Sequence, residues 1–478
     1  MNNCYRLLLV FAFCCSFSMP FASHAQSCDC TKAFQEAKLV IERNYAGFSD
    51  KVNISNKAAY NSLTSRIEKE ILDVKEASYC AYFIQKWFAF FKDGHIQLTW
   101  DRSHPLSVEQ QKRLEKEYVG SLLSEKKIEE LKNSKTIEGI YWNADSLYQI
   151  AIVKNPNAFS TYVGVVLTSS DSLWKPGKII LELKQEGKDS IEGLSYARRV
   201  IPERVMWKIG ESYISDWTRD GTFIQYKERG AHKYVSSRLM SDKTFYVKIS
   251  TFNQANAKAI DSLFKVNKQI LITRRNLILD LRGNGGGADF SYEPIINYIY
   301  TDSIRSIGAD VFSSEDNIDG WKVLLTMNDI PEKTKTFVRK LISDMKAHKN
   351  QFVSITEDGY IKRDTIEKYP EKIVILMDKG CGSTAEEFLL AARQSKKVIL
   401  MGQPSAGVLD YANMRGAKMQ QLPYALYYAT SRSRRVDIGE GIDNKGISPQ
   451  ILLGPGEDWA KTAQHYLERN EDISNRAN

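Results

Sequence analysis

The chain has 478 residues, of which 43% are hydrophobic and 26% are charged. This composition is typical of a folded globular protein, and it excludes a disordered, collagen-like or polytopic membrane protein. The net charge of +8 is spread along the chain and is not concentrated in Lys/Arg blocks, so we expect no nucleic-acid partner.

Residues 1–25 have the pattern of a secretory signal. Arg6 supplies the positive start, Leu7–Phe21 the apolar stretch, and Ala25 the small residue before the cleavage point. The apolar stretch is shorter than the ~20 residues that a membrane-spanning helix needs, and Pro20 interrupts it. We therefore expect an exported protein, periplasmic or secreted, without an integral membrane span.

Four cysteines remain after the signal, namely Cys28, Cys30, Cys80 and Cys381. In an exported protein we expect a disulfide from Cys28 or Cys30 to Cys80, and the sequence leaves the choice between the two open. A metal site at the Cys-x-Cys pair is the alternative, but no histidine clusters with these cysteines, so no metal is predicted.

Residues 26–136 predict an N-terminal helical domain. Apolar residues recur at helical spacing from Phe34 to Tyr45, and a strongly aromatic stretch follows from Tyr82 to Phe91. The turn residues Lys92-Asp93-Gly94 end the aromatic helix. Charged helical sequence is predicted from Val108 to Asn133.

Residues 137–243 predict a β-rich inserted domain, because short β-branched segments alternate with turn residues. Residues 244–456 predict an α/β domain with a largely parallel sheet, because strands and helices alternate there. Residues 457–478 form a C-terminal tail. The predicted strands of the α/β domain are Phe245–Ile249, Leu277–Leu281, Ile373–Met377 and Val398–Met401, and its predicted helices are Ala255–Lys265, Tyr292–Tyr300, Thr334–Lys346 and Thr384–Gln394.

The first motif with chemical potential is the glycine-rich segment Asp280–Ala288, directly after a buried strand. Glycines at such a position let the backbone direct N–H groups toward an anion or an oxyanion. The segment also satisfies a loose dinucleotide fingerprint, but no acidic strand end follows at the expected ~20-residue distance. A tight turn without a ligand is the third interpretation.

The second motif is Gly380–Phe388, between a buried strand and a helix. Ser383 and Glu386 fit a helix capping box, and a cap alone is the structural interpretation. A serine at a sharp strand-to-helix junction is also exposed for attack, with the Thr384 N–H beside its oxygen. Thr384 with Gly285 or Gly286 would then form an oxyanion hole.

Together the motifs resemble the peptidase core shared by the C-terminal processing (tail-specific) proteases and the tricorn protease. The resemblance covers about Thr244 to Leu453 and implies a ClpP/crotonase-like core, Ser383 as the nucleophile and hydrolysis of peptide bonds. It is carried by four segments in order, which are Asp280–Gly287, Ser383–Phe388, Gly402–Gly407 and Gly446–Ile451.

One departure from the Ser-Lys members of this family concerns the general base. Those proteases have a lysine where this chain has Val408, and an aliphatic side chain cannot accept a proton from Ser383. A histidine is then the usual base. This chain resembles the tricorn branch of the family, in which a histidine base lies before the core. Five histidines follow the signal, namely His95, His104, His232, His348 and His465. His95 is the predicted base, because it has the place of the tricorn histidine, although Gly94 replaces the serine that precedes it in tricorn.

The third residue of the predicted triad orients the imidazole ring. The resemblance places Asp443 in the position of the tricorn glutamate, and Asp443 is therefore the predicted third residue, with Asp93 as the competitor nearer in sequence. Cys381 lies two residues before Ser383, and we expect it to pack rather than to act as a nucleophile.

We therefore predict an exported serine-type endopeptidase that acts on proteins or peptides without a metal or an organic cofactor. The alternative is a catalytically inactive relative that binds peptides, which the Val408 and Gly94 departures would explain. The sequence does not determine the oligomeric state or the cleavage preference.

Overall fold

The computed structural model describes residues 28–101, 116–117, 124–143, 148–155, 159–170, 174–196, 202–210, 213–214, 217–219, 234–328, 330–454 and 457–475. The predicted signal sequence, His104 and His232 lie outside these residues. None of the helices in the described part of the chain combines the length and hydrophobicity that a membrane crossing requires.

The helices are labelled in chain order. They are α1 (Cys30–Asn44), α2 (Phe48–Lys51), α3 (Lys57–Glu70), α4 (Ala77–Phe88), α5 (Glu125–Lys132), α6 (Ala257–Val266), α7 (Lys268–Leu271), α8 (Glu293–Ile299), α9 (Glu315–Thr326), α10 (Glu332–Ala347), α11 (Thr384–Ala392) and α12 (Trp459–Asn475). A 3₁₀ turn, Ala89–Phe91, extends α4.

The strands are labelled in the same way. They are β1 (Gln97–Trp100), β2 (Lys116–Glu117), β3 (Gly139–Asn143), β4 (Tyr148–Lys154), β5 (Tyr162–Ser169), β6 (Lys178–Gln185), β7 (Ser190–Ser195), β8 (Glu203–Lys208), β9 (Tyr213–Ile214), β10 (Trp217–Thr218), β11 (Val235–Leu239), β12 (Thr244–Ile249), β13 (Asn276–Asp280), β14 (Ile304–Ser306), β15 (Ala309–Phe312), β16 (Phe352–Thr356), β17 (Gly359–Ile361), β18 (Lys372–Met377), β19 (Val398–Gly402), β20 (Tyr411–Lys418), β21 (Tyr424–Ser433) and β22 (Ile451–Leu452).

The core sheet has the order β11-β12-β13-β18-β19-β22, and every pairing from β12 to β22 is parallel. Its central strands are apolar without alternation because both faces are covered; all five residues of β13 are buried. The prediction of a largely parallel sheet is confirmed. The edge strand β11 pairs antiparallel with β12, although it lies before residue 244, where the sequence places the start of this domain.

The N-terminal helices pack directly on a second sheet of the same core. A continuous apolar cluster joins residues of α1, α3 and α4 to Tyr411, Tyr424, Leu426 and Tyr428. Strand β1, which follows the aromatic helix, pairs antiparallel with β21, with Gln97 opposite Tyr427. The turn before β1 is therefore fixed against the core, although more than 300 residues separate the paired strands.

The β-rich domain is a nine-stranded sheet with the order β8-β7-β6-β5-β4-β3-β10-β9, and β2 pairs with β6. It contacts α4 through buried carboxylates, since Tyr82 donates to Glu192 at 2.5 Å and Tyr79 donates to Glu182 at 2.8 Å. The mixed α/β fold with N-terminal helices and a β-rich domain agrees with the prediction.

A disulfide joins Cys30 at the start of α1 to Cys80 in α4. Cys30 rather than Cys28 is thus the partner of Cys80. Cys28 is a buried free thiol beside the bridge, with the three Sγ atoms within 4.8 Å of one another.

Candidate active site

Ser383 lies at the junction between β18 and α11, and its backbone has φ 54° and ψ −124°. This left-handed conformation is unfavourable for a residue with a Cβ atom, and such strain concentrates at functional sites. Ser383 is partly exposed, whereas the first residues of α11 are buried. The junction therefore holds the serine at the N-terminal end of a nine-residue helix.

Glu386 fixes this junction to the neighbouring loop. Its carboxylate is fully buried and accepts hydrogen bonds from the backbone N–H of Ser383 at 3.2 Å, Gly407 at 2.7 Å and Val408 at 2.9 Å. The Ser405 hydroxyl donates to the same carboxylate at 2.5 Å. Glu386 thus caps the helix, as the Ser-x-x-Glu pattern predicts, and also holds the loop that carries Val408.

The glycine-rich loop after β13 packs against the same junction. Gly286 has φ +99°, and a Cβ atom there would lie 2.7 Å from Gly382 O and 2.9 Å from Ser383 Cβ. Asn284 is buried and secures the loop, because its Oδ1 accepts from the N–H of Phe252 and of Gly286. The two predicted motifs, far apart in sequence, therefore meet at Ser383.

The three predicted oxyanion donors differ in whether their N–H groups already donate a hydrogen bond within the protein. The Gly286 N–H donates to Asn284 Oδ1 at 3.0 Å and is occupied. The N–H groups of Gly285 and Thr384 donate to no acceptor within the described residues. Gly285 is exposed, with no atom within 4 Å of a Cβ built there, so a substrate oxygen has access to it.

Cys381 is buried, and its thiol donates to Leu281 O at 3.0 Å. Burial raises the pKa of this thiol to about 12, so it is protonated near neutral pH. A buried, protonated thiol is a poor nucleophile. Its contacts agree with the expectation that Cys381 packs below the junction.

His95 lies in the turn between α4 and β1, and Asp93 contacts its ring. His95 Nδ1 is 3.1 Å from Asp93 Oδ1, and the His95 N–H donates to the same oxygen at 2.8 Å. The Tyr45 hydroxyl donates to Asp93 Oδ2 at 2.6 Å. The Asp93 side chain is fully covered, while 12% of the His95 side chain is exposed.

Electrostatics favour the charged forms of this pair. Burial alone would lower the pKa of His95, but the hydrogen bond and charge of Asp93, with Asp443 and Glu386, raise it above the ordinary value. Burial likewise opposes ionisation of Asp93, yet the contacts with His95 and Tyr45 lower the pKa of its carboxyl group. An ionised carboxylate therefore orients His95, and the charge of Glu386, in the first turn of α11, also raises the pKa of its ring.

Asp443 lies near this pair but has a different partner. Its Oδ2 accepts from Lys51 Nζ at 2.6 Å, and its Oδ1 is buried without a hydrogen bond. Burial and the charge of Asp93 raise the pKa of Asp443 to about 6, although Lys51 opposes the shift. Asp93, the alternative candidate, therefore makes the contact with the His95 ring that the sequence predicts for Asp443. The Asp443 carboxylate binds Lys51 instead.

Val408 lies beside both the His95 turn and the Ser383 junction. A Cβ atom on Gly94 would lie 3.4 Å from Val408 Cγ1, and one on Gly382 would lie 2.9 Å from Val408 Cγ2. The residues that precede His95 and Ser383 therefore approach the two methyl groups of one side chain. The absence of a Cβ on each glycine permits this approach.

Two further histidines lie elsewhere in the described residues. His348 is exposed at the end of α10, with Nδ1 near Asp344 O, and His465 is exposed in α12. Sequence reasoning did not find Tyr45 or Lys51, because neither stands in a motif. A tyrosine and a lysine in amphipathic helical sequence give no signal of a partner 48 or 392 residues away.

Comparison with known proteins gives the family. Residues 243–453 match the sequence model of peptidase family S41. Mature CPAF complexed with lactacystin is similar over 93% of this chain and 98% of its own, with 13% identity and a TM-score of 0.49. The photosystem II D1 C-terminal processing protease is similar over 89% of this chain and 93% of its own, with 14% identity and a TM-score of 0.37.

The tricorn protease is also similar, over 92% of this chain and 37% of its own, with 12% identity and a TM-score of 0.38. The comparison with curated proteins gives no match. Residues 243–453 therefore belong to peptidase family S41, a family of serine-type hydrolases, which confirms the resemblance found in the sequence.

Proposed function

We propose that this protein is an endopeptidase with Ser383 as the nucleophile, His95 as the general base and Asp93 as the residue that orients His95. The Gly285 and Thr384 N–H groups form the proposed oxyanion hole, in a ClpP/crotonase-like core. The observation that carries this proposal is the strained Ser383 junction, with unengaged N–H groups beside it and Val408 adjacent both to Gly382 and to Gly94 of the His95 turn.

The proposed reaction follows from the hydrogen bonds of the site. Asp93 binds the Nδ1 side of His95, which leaves Nε2 to accept the proton as Ser383 Oγ attacks the peptide carbonyl carbon. The carbonyl π electrons move to the oxygen, which the two N–H groups stabilise by roughly 3 kcal/mol each. His95 then donates its proton to the leaving amine, and water hydrolyses the acyl-enzyme by the reverse proton path.

Asp443 has a secondary place in this proposal. Its paired carboxylate is near enough to raise the pKa of His95 but makes its direct contact with Lys51. We therefore propose Asp93 in the orienting role for which the sequence favoured Asp443.

The proposal is tested by hydrolysis of an unfolded protein such as reduced casein. We expect the chain without residues 1–25 to cleave it, and the Ser383→Ala variant to bind it without cleavage. The rival function, an inactive peptide-binding relative, is favoured by the Val408 and Gly94 departures. Equal peptide binding by both proteins, with no cleavage by either, would establish the rival and refute the proposal.

Export is a separate proposal, which the signal pattern and the Cys30–Cys80 disulfide support. The test is fractionation of producing cells with N-terminal sequencing of the product. We expect an extracytoplasmic protein that begins at or near Gln26. A cytoplasmic protein that retains residues 1–25 would contradict export.

A further inference from the structure

A cavity of about 310 Å³ opens beside the His95 turn. This volume is at the lower end of the range for small-ligand sites. Its walls come from three parts of the chain: Phe88 and Ala89 at the end of the aromatic helix, Arg204 from β8, and Val408 with Asn444 from the core. A peptide bound at Ser383 would extend past this cavity, because Val408 lines the cavity and also lies beside Gly382, the residue before Ser383.

Lys92 provides the charge at this cavity. It lines the cavity, is exposed, and forms no ion pair within the described residues. The other lining charges have partners. Arg204 pairs with the buried Glu192 at 2.6 Å, and the Asp93 carboxylate is covered and bound by Tyr45 and His95.

The backbone of Lys92 is a second, independent observation. It has φ 48° and ψ 44°, the left-handed conformation that ends the 3₁₀ turn and that glycine or asparagine usually occupies. A side chain there costs roughly 1 kcal/mol relative to glycine. Lys92 lies three residues before the proposed base, and it has a strained backbone and no ion pair within the described residues. A role of its side chain in binding would explain both features.

Apolar side chains also line this cavity. Phe88, Ala89 and Val408 contribute apolar surface to its lining. The aliphatic chain of a glutamate would contact these walls while its carboxylate meets Lys92.

We infer that this cavity is a specificity subsite that accepts an acidic side chain of the substrate, with Lys92 as its charged residue. The inference rests on the proposed function, since it places the acidic residue within a few positions of the bond that Ser383 attacks. It names a substrate class, peptides with Glu or Asp near the cleavage site.

The first test uses a positional peptide library with Glu, Asp, Gln, Asn and Lys varied on both sides of the scissile bond. We expect wild-type kcat/KM to be about fivefold higher for Glu than for Gln at one position, the effect of a partly exposed ion pair. Lys92→Gln should abolish this ratio, Lys92→Arg should retain it, and Lys92→Glu should favour Lys instead. Lys69→Gln, an exposed lysine of α3, is the matched control and should leave the ratio unchanged.

The second test separates this inference from the proposed function. Binding of Glu and Gln peptides to the Ser383→Ala variant requires no turnover. The Glu peptide should bind about fivefold more tightly, and Lys92→Gln in the same background should remove the difference. Equal binding of both peptides, or a preference that Lys92→Gln leaves intact, would overturn the subsite. Failure of fluorophosphonate to label wild-type Ser383 would instead overturn the proposed function.

Discussion

Asp93 and Asp443 differ in the residues that donate hydrogen bonds to their carboxylate oxygens. Both oxygens of Asp93 accept hydrogen bonds from the proposed catalytic region, one from His95 and one from Tyr45. Asp443 is held by Lys51. The sequence favours Asp443 over Asp93, but the contacts of the two carboxylates depend on a lysine of α2 and a tyrosine after α1 that no motif connects to either.

Replacement of the orienting carboxylate should therefore separate the two aspartates. We expect Asp93→Asn to lower kcat/KM by about a thousandfold, because the ring loses the carboxylate that stabilises its charged form. Asp443→Asn, the matched control, should lower kcat/KM by less than about tenfold, since the Nδ1 contact persists. The measurement is kcat/KM on a fluorogenic peptide, and a larger loss in Asp443→Asn would reverse the assignment.

The same pair of variants has a pH signature. The base acts as neutral imidazole, so activity falls as the pH drops through the raised pKa of His95. Removal of the Asp93 charge lowers that pKa, and the acidic limb of the pH profile should move to lower pH in Asp93→Asn. A limb that stays in place would show that another group titrates.

Glycine chemistry at the nucleophile junction gives a second residue-scale test. Gly283 and Gly286 both have positive φ, but only Gly286 has atoms within 4 Å of a Cβ position. Gly283→Ala should cost roughly 1–2 kcal/mol in free energy of unfolding, the backbone term alone. Gly286→Ala should cost more and should also abolish fluorophosphonate labelling, because the new methyl group displaces Ser383. Equal effects in urea titration and labelling would contradict the close packing described for this loop.

Elements with strong local patterns are the ones that the sequence predicts well. The buried strands Ile373–Met377 and Val398–Met401 and the helix after Ser383 are confirmed, since apolar runs and capping residues are local signals. The pairing of β1 with β21 could not be predicted, because register between strands 330 residues apart depends on tertiary packing. That pairing, not helical structure, fixes His95 at the core.

The charged region before the β-rich domain shows the same limit. Helical structure was predicted from Val108 to Asn133, but the described residues there contain the short strand Lys116–Glu117 before the helix Glu125–Lys132. Charged residues fit a helix surface and a sheet edge equally well. The strand forms because it pairs with the first residues of β6, outside the part of β6 that pairs with β7, which the local sequence does not encode.

The contact between α4 and the β-rich domain should depend on Glu192. Its side chain is 4% exposed and is shared by Tyr82, Lys86 and Arg204, whereas that of Glu186 is 36% exposed. Glu192→Gln removes the buried anion that the partly buried Lys86 and Arg204 share and should lower the free energy of unfolding by about 3 kcal/mol. Glu186→Gln, the control, should change it by less than about 1 kcal/mol.

The pH dependence of stability gives a further check on Glu192. Burial opposes its ionisation, but its hydrogen bonds with Tyr82, Lys86 and Arg204 lower its pKa to about 2. Its contribution is therefore fully present above the ordinary glutamate value near 4.5 and is lost as the pH falls toward 2. Glu192→Gln should reduce the dependence of the free energy of unfolding on pH in this window, measured by chemical denaturation at each pH. An unchanged dependence would show that groups other than Glu192 cause the loss of stability in acid.

At the scale of the whole molecule, the proposed nucleophile and base come from opposite ends of the chain. The apolar cluster between the N-terminal helices and β21 joins them, and the ion pairs Lys51–Asp443 and Arg432–Asp50 reinforce the contact. The β-rich domain adds Arg204 to the cavity beside them. Residues 243–453 carry the family match but lack the proposed base, so the proposed mechanism requires the N-terminal part as well.

The central claim is that His95 activates Ser383 across this junction. The most direct measurement is the second-order rate constant for fluorophosphonate labelling of Ser383 as a function of pH, with the labelled residue identified by mass spectrometry. In wild type we expect the rate to rise with pH through the raised pKa of His95. His95→Ala should lower it by about a thousandfold and remove the inflection, whereas His348→Ala, at an exposed histidine, should change neither. Labelling of folded His95→Ala at the wild-type rate would contradict the account.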